Sequence, residues 1–210
     1  MNVDELVSAL QRQRQLSVGK LHKGPYEVRL VLPDGKDGNT VAYVHQGRES
    51  GAKQHLVLSA DEARTQVVAH GTASNASRQL SSYTVTDARG KTLGTFGRDV
   101  KRSALRPTWR LEQPGLGLCL GNEGRSRAVA RRAWHLMPTS IRTCSPVDVA
   151  EDMPYRYEFR KGDAYGFTVG RGAFDCKICT PEITEAALAR RVLLTLAVVM
   201  AGLQLTEFRG

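Results

Sequence analysis

The longest apolar pattern in this sequence lies near its C-terminus, between Thr180 and about Gln204. Leucine, valine and methionine side chains there fall on every face of a helix, and Thr180 followed by Pro181 is typical of a helix start. We therefore predict a helix over residues 181–204. A helix that is apolar all round lies in lipid or inside a protein. The run Val192–Leu203 is shorter than the roughly 20 residues that span a bilayer, which favours the protein interior.

Ahead of this helix, apolar and polar residues alternate at the period of β-strands. The first such run, Tyr26 to Leu32, ends at a Pro33-Asp34-Gly35 turn. Asp87-Ala88-Arg89-Gly90 predicts a hairpin turn, with glycine at the position that needs a positive φ. The further predicted strands are Thr40–Val44, His55–Ser59, Thr65–His70, Ser82–Asp87, Lys91–Gly97, Thr108–Glu112, Gly117–Leu120, Gly124–Arg131, Ala133–Met137, Tyr155–Lys161, Tyr165–Arg171 and Phe174–Cys179.

A series of short strands followed by one buried helix has an economical arrangement. We predict a mainly β fold with a central helix, in which a closed antiparallel β-barrel of about 12 strands encloses the hydrophobic C-terminal α-helix. A helix inside the barrel would fill the internal void, and closure would leave no unpaired sheet edge.

The N-terminus has a different pattern, in which four apolar residues recur at helical spacing: Val3, Leu6, Val7 and Leu10. They predict a short amphipathic helix whose apolar stripe docks on the domain or on a partner protein. We therefore divide the chain into an N-terminal amphipathic helix, residues 1–20, and a single barrel domain, residues 21–210.

The charge balance changes the expected class of partner. Lys and Arg number 30 against 21 Asp and Glu, and the formal net charge is +9. Such an excess favours nucleic acid, acidic lipid or phosphorylated ligands. The sequence has no helix-turn-helix, RNP-type aromatic motif or zinc-finger spacing, which disfavours nucleic acid. The first 15 residues lack the pattern of a secretory signal, so we expect a cytoplasmic protein with reduced thiols.

Three stretches together are similar to those of a known family. The first, Tyr83 to Gly94, has a strand, an Asp-x-x-Gly turn and a Leu-Gly pair; the second, Lys101 to Leu111, is a basic stretch that leads into Trp109-Arg-Leu. The third runs from Tyr155-Arg-Tyr-Glu-Phe159 to the apolar helix. In this order of elements, roughly residues 40–208 resemble the tubby C-terminal-like superfamily, in its LURP-one-related and phospholipid scramblase-like branch. The resemblance implies a helix along the barrel axis and makes phosphoinositide or other phospholipid binding plausible.

The candidate ligand-binding residues are basic. Arginine suits bidentate contacts with phosphate, and Trp109 and Trp134 lie nearby in the sequence, where they could sit at a headgroup boundary. The alternative is that these charges are solvated strand faces and that both tryptophans lie in the core. We expect non-enzymatic binding or sensing of anionic phospholipid headgroups at a membrane surface, by a cytoplasmic protein peripheral to the membrane. The residues that would contact the headgroup are Lys101, Arg102, Arg106, Arg110, Arg131 and Arg132.

Other chemistry has weaker signals. Cys176 and Cys179 form one close pair, whereas a structural zinc site needs four ligands, typically as two pairs, so buried thiols are favoured over a metal. The histidines are scattered and no catalytic motif occurs, so we expect no cofactor and no catalytic residue. Two alternatives stay open: a protein-interaction or scaffold barrel that uses the N-terminal helix, and an enzyme acting on a small apolar or lipid-like substrate.

Overall fold

The computed structural model describes residues 2–12, 15–23, 26–33, 42–48, 54–74, 82–99, 108–123, 155–162, 164–171, 176–179 and 188–207. Its helices are α1 (Val3–Arg12) and α2 (Arg190–Glu207). The strands are β1 (Gln15–Lys23), β2 (Tyr26–Pro33), β3 (Ala42–Arg48), β4 (Gln54–Ser59), β5 (Val67–Ala73), β6 (Ser82–Asp87), β7 (Thr92–Arg98), β8 (Thr108–Gln113), β9 (Gly117–Glu123), β10 (Tyr155–Lys161), β11 (Ala164–Arg171) and β12 (Cys176–Cys179). The prediction of a mainly β fold with an N-terminal and a C-terminal helix is confirmed.

All described strand pairs are antiparallel. Each strand pairs with the strand that follows it in the chain, from β1 with β2 to β11 with β12. β1 also pairs with β12, so that Gln15 lies opposite Cys179 and Val18 lies opposite Cys176. Most neighbouring strands are joined by short connections, which favour this antiparallel order; the segment 124–154 between β9 and β10 is the long one.

One face of the sheet is apolar and packs on α2. In β3, β4 and β6 every second residue is buried in a common core, including Val44, Leu56 and Val85. α2 contacts β1, β4, β5, β7 and β12, as well as α1. Alternation along each strand therefore separates a core face from an outer face that carries most of the polar side chains.

The middle of α2 is the most completely buried segment of the described chain. Nine consecutive residues, Val192 to Met200, are each at most 2% exposed. Nine residues make about two and a half turns, so every face of the helix is covered. The prediction of a helix buried inside protein is confirmed.

The start of α2 differs from the sequence prediction. Leu188 and Ala189 are not helical, so the helix begins at Arg190 and not at residue 181; Thr180 and Pro181 lie outside the described residues. Two N–H groups at the start of α2, those of Ala189 and Arg190, are satisfied by distant side chains. Gln113 Oε1 accepts from Ala189 N at 2.8 Å, and Gln11 Oε1 accepts from Arg190 N at 3.4 Å. Because these caps come from β8 and α1, local sequence rules do not locate them.

The N-terminal helix packs on the same core as the sheet. Asn2 and Glu5 cap α1 reciprocally: Asn2 Oδ1 accepts from Glu5 N at 2.8 Å, and Asn2 N donates to Glu5 Oε2 at 3.0 Å. Leu6 and Leu10 are fully buried, which confirms the amphipathic helix and its docking on the domain. The helix is shorter than the segment 1–20 assigned to it, because β1 already begins at Gln15, where β2 and β12 supply its hydrogen bonds.

The predicted hairpin turn between β6 and β7 is confirmed. Asp87 Oδ1 accepts from Arg89 N and Lys91 N, both at 2.9 Å, and Gly90 has a φ of 80°. Strand β1 was not predicted, and the predicted strands Gly124–Arg131 and Ala133–Met137 lie outside the described residues.

Val198→Asp should abolish folding, because it places a carboxylate in the fully buried middle of α2. We expect a loss of more than about 4 kcal/mol in the free energy of unfolding, seen as loss of the cooperative melting transition in circular dichroism. The control is Thr84→Asp on the exposed face of β6, which should cost at most about 1 kcal/mol. Equal melting of the two variants would show that α2 is not buried.

Gln113→Ala should destabilise the protein by about 1–3 kcal/mol, because the N–H of Ala189 loses its acceptor at a part-buried site. Urea denaturation measures the change. Glu112→Ala, an exposed neighbour on β8, is the matched control and should change stability by no more than about 0.5 kcal/mol. A similar small effect at both positions would mean that Gln113 does not hold the start of α2.

Candidate anion-binding end of the sheet

The antiparallel order gives the sheet two ends with different charge. At one end the odd-numbered strands finish and the even-numbered strands begin. Four strand termini there are basic, namely Lys23, Arg48, Arg98 and Arg171, and one, Glu123, is acidic. We call this the basic end. At the opposite end the charged strand termini are Lys161 and Asp87, and α2 begins there beside Gln113.

The segments that connect the strands also differ in charge between the two ends, as their sequences show. Taken together, the segments attached at the basic end contain 10 basic and 6 acidic residues; they are 24–25, 49–53, 74–81, 99–107, 124–154 and 172–175. Taken together, the segments attached at the opposite end contain 4 basic and 7 acidic residues; they are 34–41, 60–66, 88–91, 114–116, 162–163 and 180–189. By sequence, the excess of basic residues therefore belongs to the segments that attach at the basic end.

Of the six predicted headgroup ligands, Arg110 belongs to the described residues. It is exposed on the outer face of β8, opposite Gly97 on β7 and Leu120 on β9. Lys101, Arg102, Arg106, Arg131 and Arg132 lie outside the described residues.

The described strand ends that flank these five residues are adjacent. Thr108, where β8 begins, accepts a hydrogen bond from Asp99 N at 2.8 Å and pairs with Asn122 near the end of β9. The Thr108 hydroxyl also donates to Asn122 Oδ1 at 3.2 Å. Segments 100–107 and 124–154 therefore attach to neighbouring strands at the basic end.

The outer face of β8 to β10 mixes arginine with exposed apolar surface. Leu120 lies between Arg110 and Arg160 in the register, about two strand spacings or roughly 10 Å across. Arg160 pairs with Glu158 at 3.3 Å, but both side chains are well exposed, so this pair adds little stability. Leu118 is 41% exposed, the one large apolar side chain so exposed among the described residues.

The described residues include Trp109 and the pair Cys176 and Cys179, for which the sequence left alternative interpretations open. Trp109 is 5% exposed and belongs to the core, as the alternative interpretation expected, and Trp134 lies outside the described residues. Cys176 and Cys179 are three positions apart on β12, a spacing that alternates faces on a regular strand. In the described part of the chain, no group of three or more His, Cys, Asp or Glu side chains could hold a metal ion.

The histidines are scattered along the sequence, but the register of β3, β4 and β5 brings three of them onto one face of the sheet. His45, Val57 and His70 lie directly opposite one another across β3, β4 and β5, and His55 is two residues from Val57. This is the outer face, because the residues alternating with them lie in the core. The signal is visible only when strand pairing is known.

Burial lowers the pKa of two of these histidines. His45 is 3% exposed and its two ring nitrogens have no hydrogen-bonding partner among the described residues. Desolvation is the main cause of its lowered pKa, followed by the charge of Arg64; Asp61 and Glu62 act in the opposite direction. For His70 the causes are desolvation and then the neighbouring His55.

Two arginines lie at the start of α2, at the opposite end of the sheet: Arg190 is buried and Arg191 is half-buried. Arg190 is 5% exposed, and its guanidinium donates to Leu188 O at 2.6 Å. Arg191 donates to Val68 O at 3.3 Å. Burial lowers the pKa of both arginines, and the Asp87 charge partly offsets this for Arg191. The Arg191 contact joins α2 to β5 and the Arg190 contact holds the residues just before α2, so we assign both a structural role.

Comparison with known proteins does not identify a family. No protein-family model, curated protein or solved structure matches this chain. Within the described residues, neither helix has the length and apolar character needed to cross a membrane.

Stability should fall as the pH is lowered from about 7.5 to about 5. The folded pKa values of His45 and His70 lie below the ordinary value of 6.5, so the unfolded chain binds more protons in this range. Their contribution is complete above about pH 6.5 and is lost as the pH falls towards the folded pKa. Asp61 and Asp87, whose pKa values are lowered from 3.8 mainly by backbone hydrogen bonds, act only at lower pH.

His45→Phe should reduce this pH dependence, because it removes a buried group that must be neutral in the fold. Urea midpoints measured across the range test it, with Thr72→Ala on the exposed outer face as the control. Parallel pH profiles for wild type, His45→Phe and Thr72→Ala would contradict the assignment to His45.

Proposed function

We propose that this protein binds or senses anionic phospholipid headgroups at a membrane surface, without catalysis, and that the basic end of the sheet faces the membrane. The observation that carries the proposal is the uneven distribution of charge, with Lys23, Arg48, Arg98 and Arg171 at strand termini of the same end. The predicted ligands Lys101, Arg102, Arg106, Arg131 and Arg132 belong by sequence to segments attached there. Arg110 would contribute from the outer face of β8.

The mechanism is electrostatic docking. Each basic residue close to an anionic leaflet contributes about 1 kcal/mol, and the contribution falls off within a Debye length. Because the basic residues are concentrated at one end, more of them can approach the membrane surface at the same time. Binding should therefore weaken steeply with salt and orient the molecule with α1 and the start of α2 away from the membrane.

The proposed fold family supports the same function. We propose a closed 12-strand barrel around α2, of the tubby-like type with its scramblase-like branch. The pairing of β1 with both β2 and β12 supports closure, as do the contacts of α2 with strands far apart in the sheet, β12 and β1 as well as β4, β5 and β7. A peripheral cytoplasmic location would follow from this function.

The scaffold alternative has less support. Its contact stripe was Val3, Leu6, Val7 and Leu10, of which Leu6 and Leu10 are fully buried and Val3 and Val7 pack against the core. A partner using this stripe would first have to displace α1.

Charge reversal at the basic end should abolish binding to acidic vesicles. The test variant combines Lys101→Glu, Arg102→Glu, Arg131→Glu and Arg132→Glu, and flotation with phosphatidylserine or phosphoinositide vesicles measures recovery. The control combines Arg12→Glu, Arg89→Glu, Lys91→Glu and Lys161→Glu, which are exposed at the opposite end. Each reversal removes two charges, so both variants go from a formal net charge of +9 to +1.

We expect wild type and the control to float with acidic vesicles at low salt and the test variant to stay behind. Neutral phosphatidylcholine vesicles should recover none of the three. Equal recovery on neutral vesicles, or equal loss in both variants, would overturn the proposal, because binding would then not depend on the basic end.

A further inference from the structure

The outer face of β4 and β5 brings two imidazole rings together. His55 pairs with Thr72 and His70 pairs with Val57, so the two histidines are diagonal neighbours on the same face. Their ring centroids lie 5.5 Å apart and the ring planes are inclined by 35°. Both residues are half-buried, so the pair is accessible from solvent.

This separation is compatible with a shared metal ion. With metal–nitrogen bonds of about 2.0–2.1 Å, two imidazoles on one ion have centroids about 4.5 Å apart at a right angle and about 5.2 Å apart at the tetrahedral angle. A linear arrangement would place them about 6.4 Å apart. The observed 5.5 Å lies inside this range, so the strand register already holds the two rings at a distance that one ion can bridge.

The hydrogen bonding of the pair is incomplete. His70 Nδ1 is buried and has no hydrogen-bonding partner among the described residues. A buried ring nitrogen without a partner is uncommon, and it gives His70 an atom that can coordinate an ion.

Among the described residues, two protein side chains can act as ligands to such an ion. His45 is on the same face, but Val57 lies between it and His70 in the register, so two strand spacings of about 10 Å in total separate their backbones. The described residues contain no group of three metal-binding side chains. Water would therefore complete the coordination, and imidazole ligands select zinc, nickel or copper over magnesium or calcium.

We propose that His55 and His70 form a two-histidine binding site for a divalent transition-metal ion, with copper(II) bound most tightly of the series. The site lies on the outer strand faces, with His55 one residue from the start of β4 at the basic end, and it does not depend on the proposed lipid-binding function. The open coordination positions would let the ion bind a further ligand from solution.

Titration of the full-length protein with copper(II) at about pH 7.5 tests the site. Isothermal titration should show one tight equivalent, and electron paramagnetic resonance of that equivalent should show coordination by two imidazole nitrogens. His55→Ala and His70→Ala should each weaken this equivalent at least about tenfold, since even the loss of an outer-shell partner costs 10–100-fold. His45→Phe, on the same face, is the matched control and should bind copper as wild type does.

Circular dichroism of each variant separates loss of the ligand from loss of the fold, and His55→Gln and His70→Gln replace any alanine variant that fails to fold. Unchanged copper binding in both single variants would overturn the proposal. So would loss of the tight equivalent on replacing His22, His45 or His135, because the ion would then be bound elsewhere.

Discussion

The structure depends on one constraint, which is that α2 is apolar on every face and must be removed from water. Nine consecutive residues from Val192 to Met200 are buried, so the rest of the chain has to cover the helix from all sides. A single helix packed on a flat sheet would leave half of that surface exposed. Instead α2 contacts five strands and α1, and the alternation of apolar residues along the strands follows from the same requirement.

Covering the helix also creates a problem at its start, where four N–H groups have no partner within the helix. Gln11 and Gln113 solve part of it, and in doing so they link α1, β8 and α2 at one end of the sheet. Two arginines in the first turn of α2 add their own contacts with backbone carbonyls at this end. The opposite end has no such structural demand in the described residues, and basic residues collect there. The excess of basic over acidic strand termini at that opposite end connects the fold with the proposed binding to acidic headgroups.

The sequence predicted the elements whose signals are local. Asp87 and Gly90 determine a hairpin through their own backbone preferences, and the stripe with Leu6 and Leu10 determines an amphipathic helix. What it could not predict depends on residues far apart in the chain. Strand β1 is held by β2 and β12, and the start of α2 is set by Gln113, 76 positions away from Ala189. Likewise, His55 and His70 become neighbours only through strand register, so their spacing of 15 residues carried no signal.

The burial of α2 is tested most directly by native-state hydrogen exchange, because amides that open only on global unfolding exchange at the rate set by global stability. We predict that peptides covering Val192–Met200 exchange as slowly as those from β6 to β9, and that added urea accelerates both groups in parallel. Faster exchange in α2 than in these strands, with little dependence on urea, would contradict the account. The helix would then open independently of the sheet and could not be what the fold is built around.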